Sequence, residues 1–116
     1  MTQMTDKQIR SMMVSRFYQH WTEWPSDEVN QGWWNLVISC RDLKLWQVGI
    51  KPNRRWKVSR VKEYFNIRGN RESLLDQILA IQDFCTALCD PESGEHEQVK
   101  AALERIAPTI SQEDLL

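Results

Sequence analysis

The chain has 116 residues, enough for one compact domain with a real core and too few for two ordinary ones. Apolar residues make up 41% and charged residues 27%, with only four Gly and four Pro, a balance that disfavours both disorder and turn-rich all-β architectures. The formal net charge of −1 conceals two opposed blocks. Lys51, Arg54, Arg55, Lys57, Arg60, Lys62, Arg68 and Arg71 set eight cations against one acid, Glu63, whereas residues 72–99 carry Glu72, Asp76, Asp83, Asp90, Glu92, Glu95 and Glu97 and no Lys or Arg.

The opening residues hold no apolar stretch of the kind a secretion signal needs. Nothing later approaches the ~18 consecutive apolar residues of a membrane span, so a cytoplasmic protein without a membrane partner is expected. Three Cys is an odd count without a C-x-x-C pair, which suggests buried reduced thiols rather than a disulfide framework or a zinc finger.

Along the chain, Thr5 and Gln8 fit a capping box with Met4 stapled onto Ile9, and a helix should start there. Ile9, Met12, Met13, Phe17, His20, Trp21 and Trp24 recur at spacings of three and four until Pro25 stops the pattern. Ser26, Asp27 and Glu28 suit the positive end of a second helix dipole. Over 33–48 the alternation of Leu36, Ile38 and Cys40 allows a strand. Two adjoining apolar faces, followed by Gly49, Ile50 and Pro52 as a left-handed cap and stop, favour a helix instead.

Ser59 is the expected cap of a short helix from Arg60 to about Ile67, and Asn70 that of a longer one. The longer helix gathers Leu74, Ile78, Ile81, Cys85 and Leu88 on one face and Glu72, Asp76 and Asp83 on the other. Asp90 to Gly94 breaks the chain, and Val99, Ala102, Leu103 and Ile106 mark a last helix before Pro108. The expected fold is a single all-α domain over residues 1–108, a bundle of four main helices plus a short one, with a frayed tail at 109–116.

The basic block is the one feature that points toward a function. Cations interleaved with Trp56, Tyr64 and Phe65 form the kind of surface that meets phosphate and stacks on bases. From Val61 to Ile78 the pattern of short helix, glycine turn and longer helix outlines a helix-turn-helix-like pair, in which Arg71, Glu72 and Ser73 would open the recognition helix. The leading expectation is therefore non-catalytic binding of DNA or RNA. Arg54, Arg55, Lys57, Arg60, Lys62, Arg68 and Arg71 would contact phosphate, and Trp56 would stack. The competing account is an internal ion-pair surface, but exposed pairs contribute only about 0–1 kcal/mol each and do not require such clustering.

Six Trp are difficult to bury in so small a domain. The alternative expectation is accordingly a helical adaptor or homo-oligomer that docks on a protein partner through Trp21, Trp24, Trp33, Trp34 and Trp46, with the opposed charge blocks for orientation. Catalytic and cofactor signals are poor. His20 and Glu23 lack the further carboxylates and inward His of a metal-bridging bundle site. Cys85, Cys89 and His96 are loosely spaced, and no phosphate loop or nucleophile elbow is present. No catalytic residue, metal ligand or cofactor is assigned.

Overall fold

Local capping chemistry sets most of the helix boundaries. The computed structural model describes residues 4–25 and 28–110. Among these it contains six α-helices and no strand: α1 (Asp6–Met13), α2 (Arg16–Glu23), α3 (Gln31–Gln47), α4 (Val58–Phe65), α5 (Arg71–Cys89) and α6 (His96–Ile106), followed by a single 3₁₀ turn at Ala107–Thr109.

At Thr5 the capping box is complete: Gln8 N–H donates to Thr5 Oγ1 at 3.1 Å, and Thr5 N–H donates to Gln8 Oε1 at 2.9 Å. The first helix is shorter than its apolar spacing suggests. Ser15 takes an extended backbone conformation and its hydroxyl accepts from Tyr18 N–H, so one expected helix becomes two. A serine that can bond the backbone offers the chain an alternative to helix continuation, and here it caps α2. Trp24 is extended, as the residue before Pro25 must be, and α2 stops.

The expected start of the next helix at 26–28 is not where α3 begins. Ser26 and Asp27 lie outside the described residues, and α3 opens after Asn30, whose Oδ1 accepts from Trp33 N–H at 2.9 Å. Helix prevails over strand in 33–48, and its end follows the cap chemistry. Gly49 has φ +84°, while the amides of Ile50 and Gly49 reach back to the carbonyls of Leu45 and Trp46. Ser59 does not cap α4, which begins one residue before it with Lys57 as an N-cap that makes no side-chain bond. That helix ends at Phe65 rather than Ile67 because Asn66 enters the left-handed region at φ +56°. Asn70 caps α5 as expected, accepting from Ser73 N–H at 2.8 Å.

The two long helices, α3 and α5, pack on one another; α2 packs on α3 and carries α4, α6 packs on α5, and α1 packs on α6 and α2. A single apolar cluster joins all six helices, with Phe17, Leu36, Leu43, Leu74, Ile78 and Cys85 fully enclosed. The expected frayed tail is held down in its described part. Arg10 donates to the Thr109 carbonyl at 2.7 Å and Ile110 packs against the core, whereas 111–116 lie outside the described residues.

Candidate nucleic-acid interface

The loop that follows α3 carries the first cations of the basic block. Asn53 shapes it: its Oδ1 accepts from Arg55 N–H at 2.9 Å and its carbonyl from Trp56 N–H at 3.3 Å, which leaves Arg54 and Arg55 exposed at the tip. Trp56 turns inward. Its ring lies 5.5 Å from that of Trp46 on α3, and the Arg71 guanidinium sits 4.5 Å from the Trp46 ring centroid. This ladder ties the loop to the C-terminal end of α3 and the N-terminal end of α5.

An open groove of about 940 Å³ runs between the loop and α4 on one side and α3 on the other. Arg55, Lys57 and Arg60 line it together with Arg16, which α2 contributes from outside the basic block. Ile38, Val61 and Phe65 supply apolar surface, Trp56 and Tyr64 aromatic surface, and the wall formed by α3 is polar at Asn35, Ser39 and Asp42. Four cations therefore share the groove with two carboxylates, Asp42 and Glu63. The ion pairs among the described residues join Arg41 to Asp42 and Arg105 to Asp6, and none involves a groove cation or any other cation of residues 51–71. No ion pair among the described residues joins the acidic block to the basic one.

Tyr64 is held firmly at the groove edge. Its hydroxyl accepts from Asn35 Nδ2 at 3.0 Å and lies 2.9 Å from His20 Nδ1, while Gln31 Nε2 in turn donates to Asn35 Oδ1 at 2.8 Å. Burial pushes the phenol above its ordinary value, partly offset by the Asn35 hydrogen bond and the Arg16 charge. The protonated phenol keeps its own hydrogen available to His20.

The remaining block residues disperse. Lys51 and Arg54 are exposed on the loop outside the groove, Lys62 is half-buried on α4, and Arg71 is occupied on Trp46. Arg68 lines a separate groove of about 450 Å³ with Lys7, between α1 and the α4–α5 turn. The helix-turn-helix-like pair does not take the compact form of that motif. Five residues, 66–70, join the helices; α4 packs mainly on α2, while α5 packs on α3 and α6. At the start of α5, Ser73 Oγ accepts from Gln77 Nε2 at 3.0 Å.

Of the Trp proposed as docking anchors, Trp21, Trp33 and Trp46 pack against the core. Trp24 is half-buried, edge-on to His20, with an indole N–H that has no hydrogen-bond partner. Trp34 alone among the five is largely exposed, at 52%, with Val37 exposed one turn later on α3. Among the described residues no group of three His, Cys, Asp or Glu side chains could hold a metal, and no helix is long and apolar enough to cross a membrane. Cys85 is buried, Cys89 exposed, and His96 engages the Ala87 carbonyl.

Comparison with known proteins returned no match: no family model fits the chain, and no curated protein or solved structure proved similar. Arg16, Asn35, Ser39, Asp42 and Asn53 are polar groove residues that sequence reasoning missed. Arg16 lies 39 positions before Arg55 and only the fold joins them; the spacing of Asn35, Ser39 and Asp42 along one face of α3 was the one signal open to reading.

Proposed function

We propose that the chain binds single-stranded nucleic acid in the groove between α3 and α4. The observation that carries this reading is the gathering of Arg16, Arg55, Lys57 and Arg60, without ion pairs, around a groove that also presents Trp56 and Tyr64. Four cations share the groove with only two carboxylates, neither of them ion-paired to a groove cation, so a surplus of positive charge remains and its repulsion adds nothing to stability. A polyanion supplies the missing charge, and aromatic surface beside it suits unstacked bases. A single strand fits better than a duplex because the start of α5, with Arg71 on Trp46 and Ser73 bonded to Gln77, offers no free recognition helix.

Fluorescence anisotropy with labelled single-stranded DNA tests the reading. Each phosphate contact contributes about −0.7 to the slope of log affinity on log salt, so four contacts give a slope near −3. Replacing Arg55 and Arg60 together by Ala should weaken binding to all sequences alike and make the slope shallower by about 1.4, the share of two contacts. Failure of the wild-type chain to bind single-stranded DNA or RNA at low salt and micromolar concentration would remove the proposal.

A second reading, docking on a protein partner or a second copy, is favoured by the exposed Trp34 and Val37 on α3. Light scattering across a concentration series tests self-association. Retention of a protein from native extract after nuclease treatment tests a partner.

A further inference from the structure

One wall of the groove carries a charge of the wrong sign for phosphate. Asp42 lines it from the middle of α3, its side chain only 9% exposed. Its one partner is the outward-facing Arg41, whose Nε and Nη2 reach Oδ1 at 3.2 and 3.0 Å; Oδ2 has no hydrogen-bond partner among the described residues. One turn earlier Ser39 lines the same wall, and its hydroxyl is likewise without a partner there. The largely enclosed carboxylate thus keeps Oδ2 without a protein partner and open to the groove, where a ligand's donors can reach it. The long helix α3, packed through Leu36 and Leu43, holds both side chains on a rigid support.

We infer that this wall selects guanine. The inference rests on the nucleic-acid reading above and adds a base to it. Guanine is the base whose pairing edge presents two adjacent donors, N1–H and an N2 amino hydrogen, which suit one carboxylate, beside an O6 acceptor that suits a hydroxyl. Asp42 takes the two donors and Ser39 donates to O6, while the strand's phosphates lie on Arg16, Arg55, Lys57 and Arg60. The other bases are rejected by chemistry. Adenine and cytosine turn a ring-nitrogen acceptor toward the carboxylate beside their amino group, and thymine offers one N–H flanked by two carbonyls. Each leaves acceptor facing acceptor at Asp42, a mismatch that costs affinity.

Labelled oligo-dT strands of roughly ten nucleotides, each with one central dG, dI, dA or dC, provide the test. The dG strand should bind about tenfold tighter than the dA, dC or all-dT strands. The dI strand keeps O6 and N1–H but lacks the N2 amino group, and should lose most of that advantage. Asp42→Asn should bring the ratio of dG to dT affinity close to one, and Ser39→Ala should narrow it. The dI comparison uses the wild-type chain, so the test survives a variant that folds poorly. Equal binding of the dG, dI and dA strands by the wild-type chain overturns guanine selection while leaving phosphate binding in place. Binding of none of the strands overturns the nucleic-acid reading itself, and guanine selection with it.

Discussion

Gly32 of α3 lies close against the Trp21 backbone of α2, and replacing it by Ala should destabilise the protein even though the same change usually strengthens a helix. In an open helix Gly→Ala contributes about 1 kcal/mol of stability. Here the added Cβ would stand 2.6 Å from the Trp21 backbone nitrogen, 2.8 Å from its Cα and 2.9 Å from its Cβ. Backbone atoms cannot rotate aside, so α2 must retreat by roughly 1 Å to restore ordinary van der Waals separation. That retreat strains a second contact, the 2.7 Å hydrogen bond from Asn30 Nδ2 to the Trp21 carbonyl, worth about 1 kcal/mol. Overpacking of this kind costs about 1–3 kcal/mol, so the net loss should be about 2 kcal/mol. Urea melts followed by Trp fluorescence and circular dichroism measure it directly. Gly94, whose added Cβ would meet nothing within 4 Å, is the control and should tolerate Ala with little change. A neutral or stabilising Gly32→Ala would refute the close approach, and with it the position of α2 that brings Arg16 to the groove.

Two further outcomes follow from burial. Ile78 is fully enclosed in α5, so Ile78→Ala should cost about 2–5 kcal/mol in denaturant melts, and a loss below about 1 kcal/mol would show that its stripe is not core. Of the three free thiols only Cys89 is exposed, so a thiol reagent should label one site rapidly on the native protein and all three after unfolding. Burial pushes the Cys40 thiol up to about 11, with Lys44 lowering it and Asp83 raising it, and burial also pushes Cys85 up. Both groups bind their protons more tightly when folded. Their contribution is therefore complete below the ordinary thiol value of 9.0 and is lost as pH rises toward 11. Stability that increased over that alkaline range would contradict the burial of these groups.

The fold was legible where the signal was local. Thr5 with Gln8, Gly49 before Pro52, and Asn70 each satisfy helix-end groups with residues a few positions away, and each acts in the structure as its chemistry indicates. The break at Ser15 was hidden because Ile9, Met12 and Phe17 all face the same core, so apolar spacing continues across a gap in the hydrogen-bond ladder. Ser59 misled for the converse reason: a good capping residue lies inside the first turn of α4 when the chain enters two residues early. Neighbouring Trp33 and Trp34 behave as helical geometry requires, one against the core and the other exposed.

The site was legible only as a density of charge along the chain, and the fold sorts that density into different places. Arg71 goes to Trp46, Arg68 to another groove, and Arg55, Lys57 and Arg60 join Arg16. What holds these cations together is not attraction to nearby acids. The eight-residue α4 is too short to be stable alone, and it is fixed by burial of Val61 and Phe65, while the preceding loop is fixed by Trp56 on Trp46. The core thus bears the repulsion between like charges, and packing alone forms the groove. Local conflicts with stability that packing must support are found chiefly where a fold serves a ligand, and the surplus of positive charge facing the polar wall of α3 is one such conflict among the described residues.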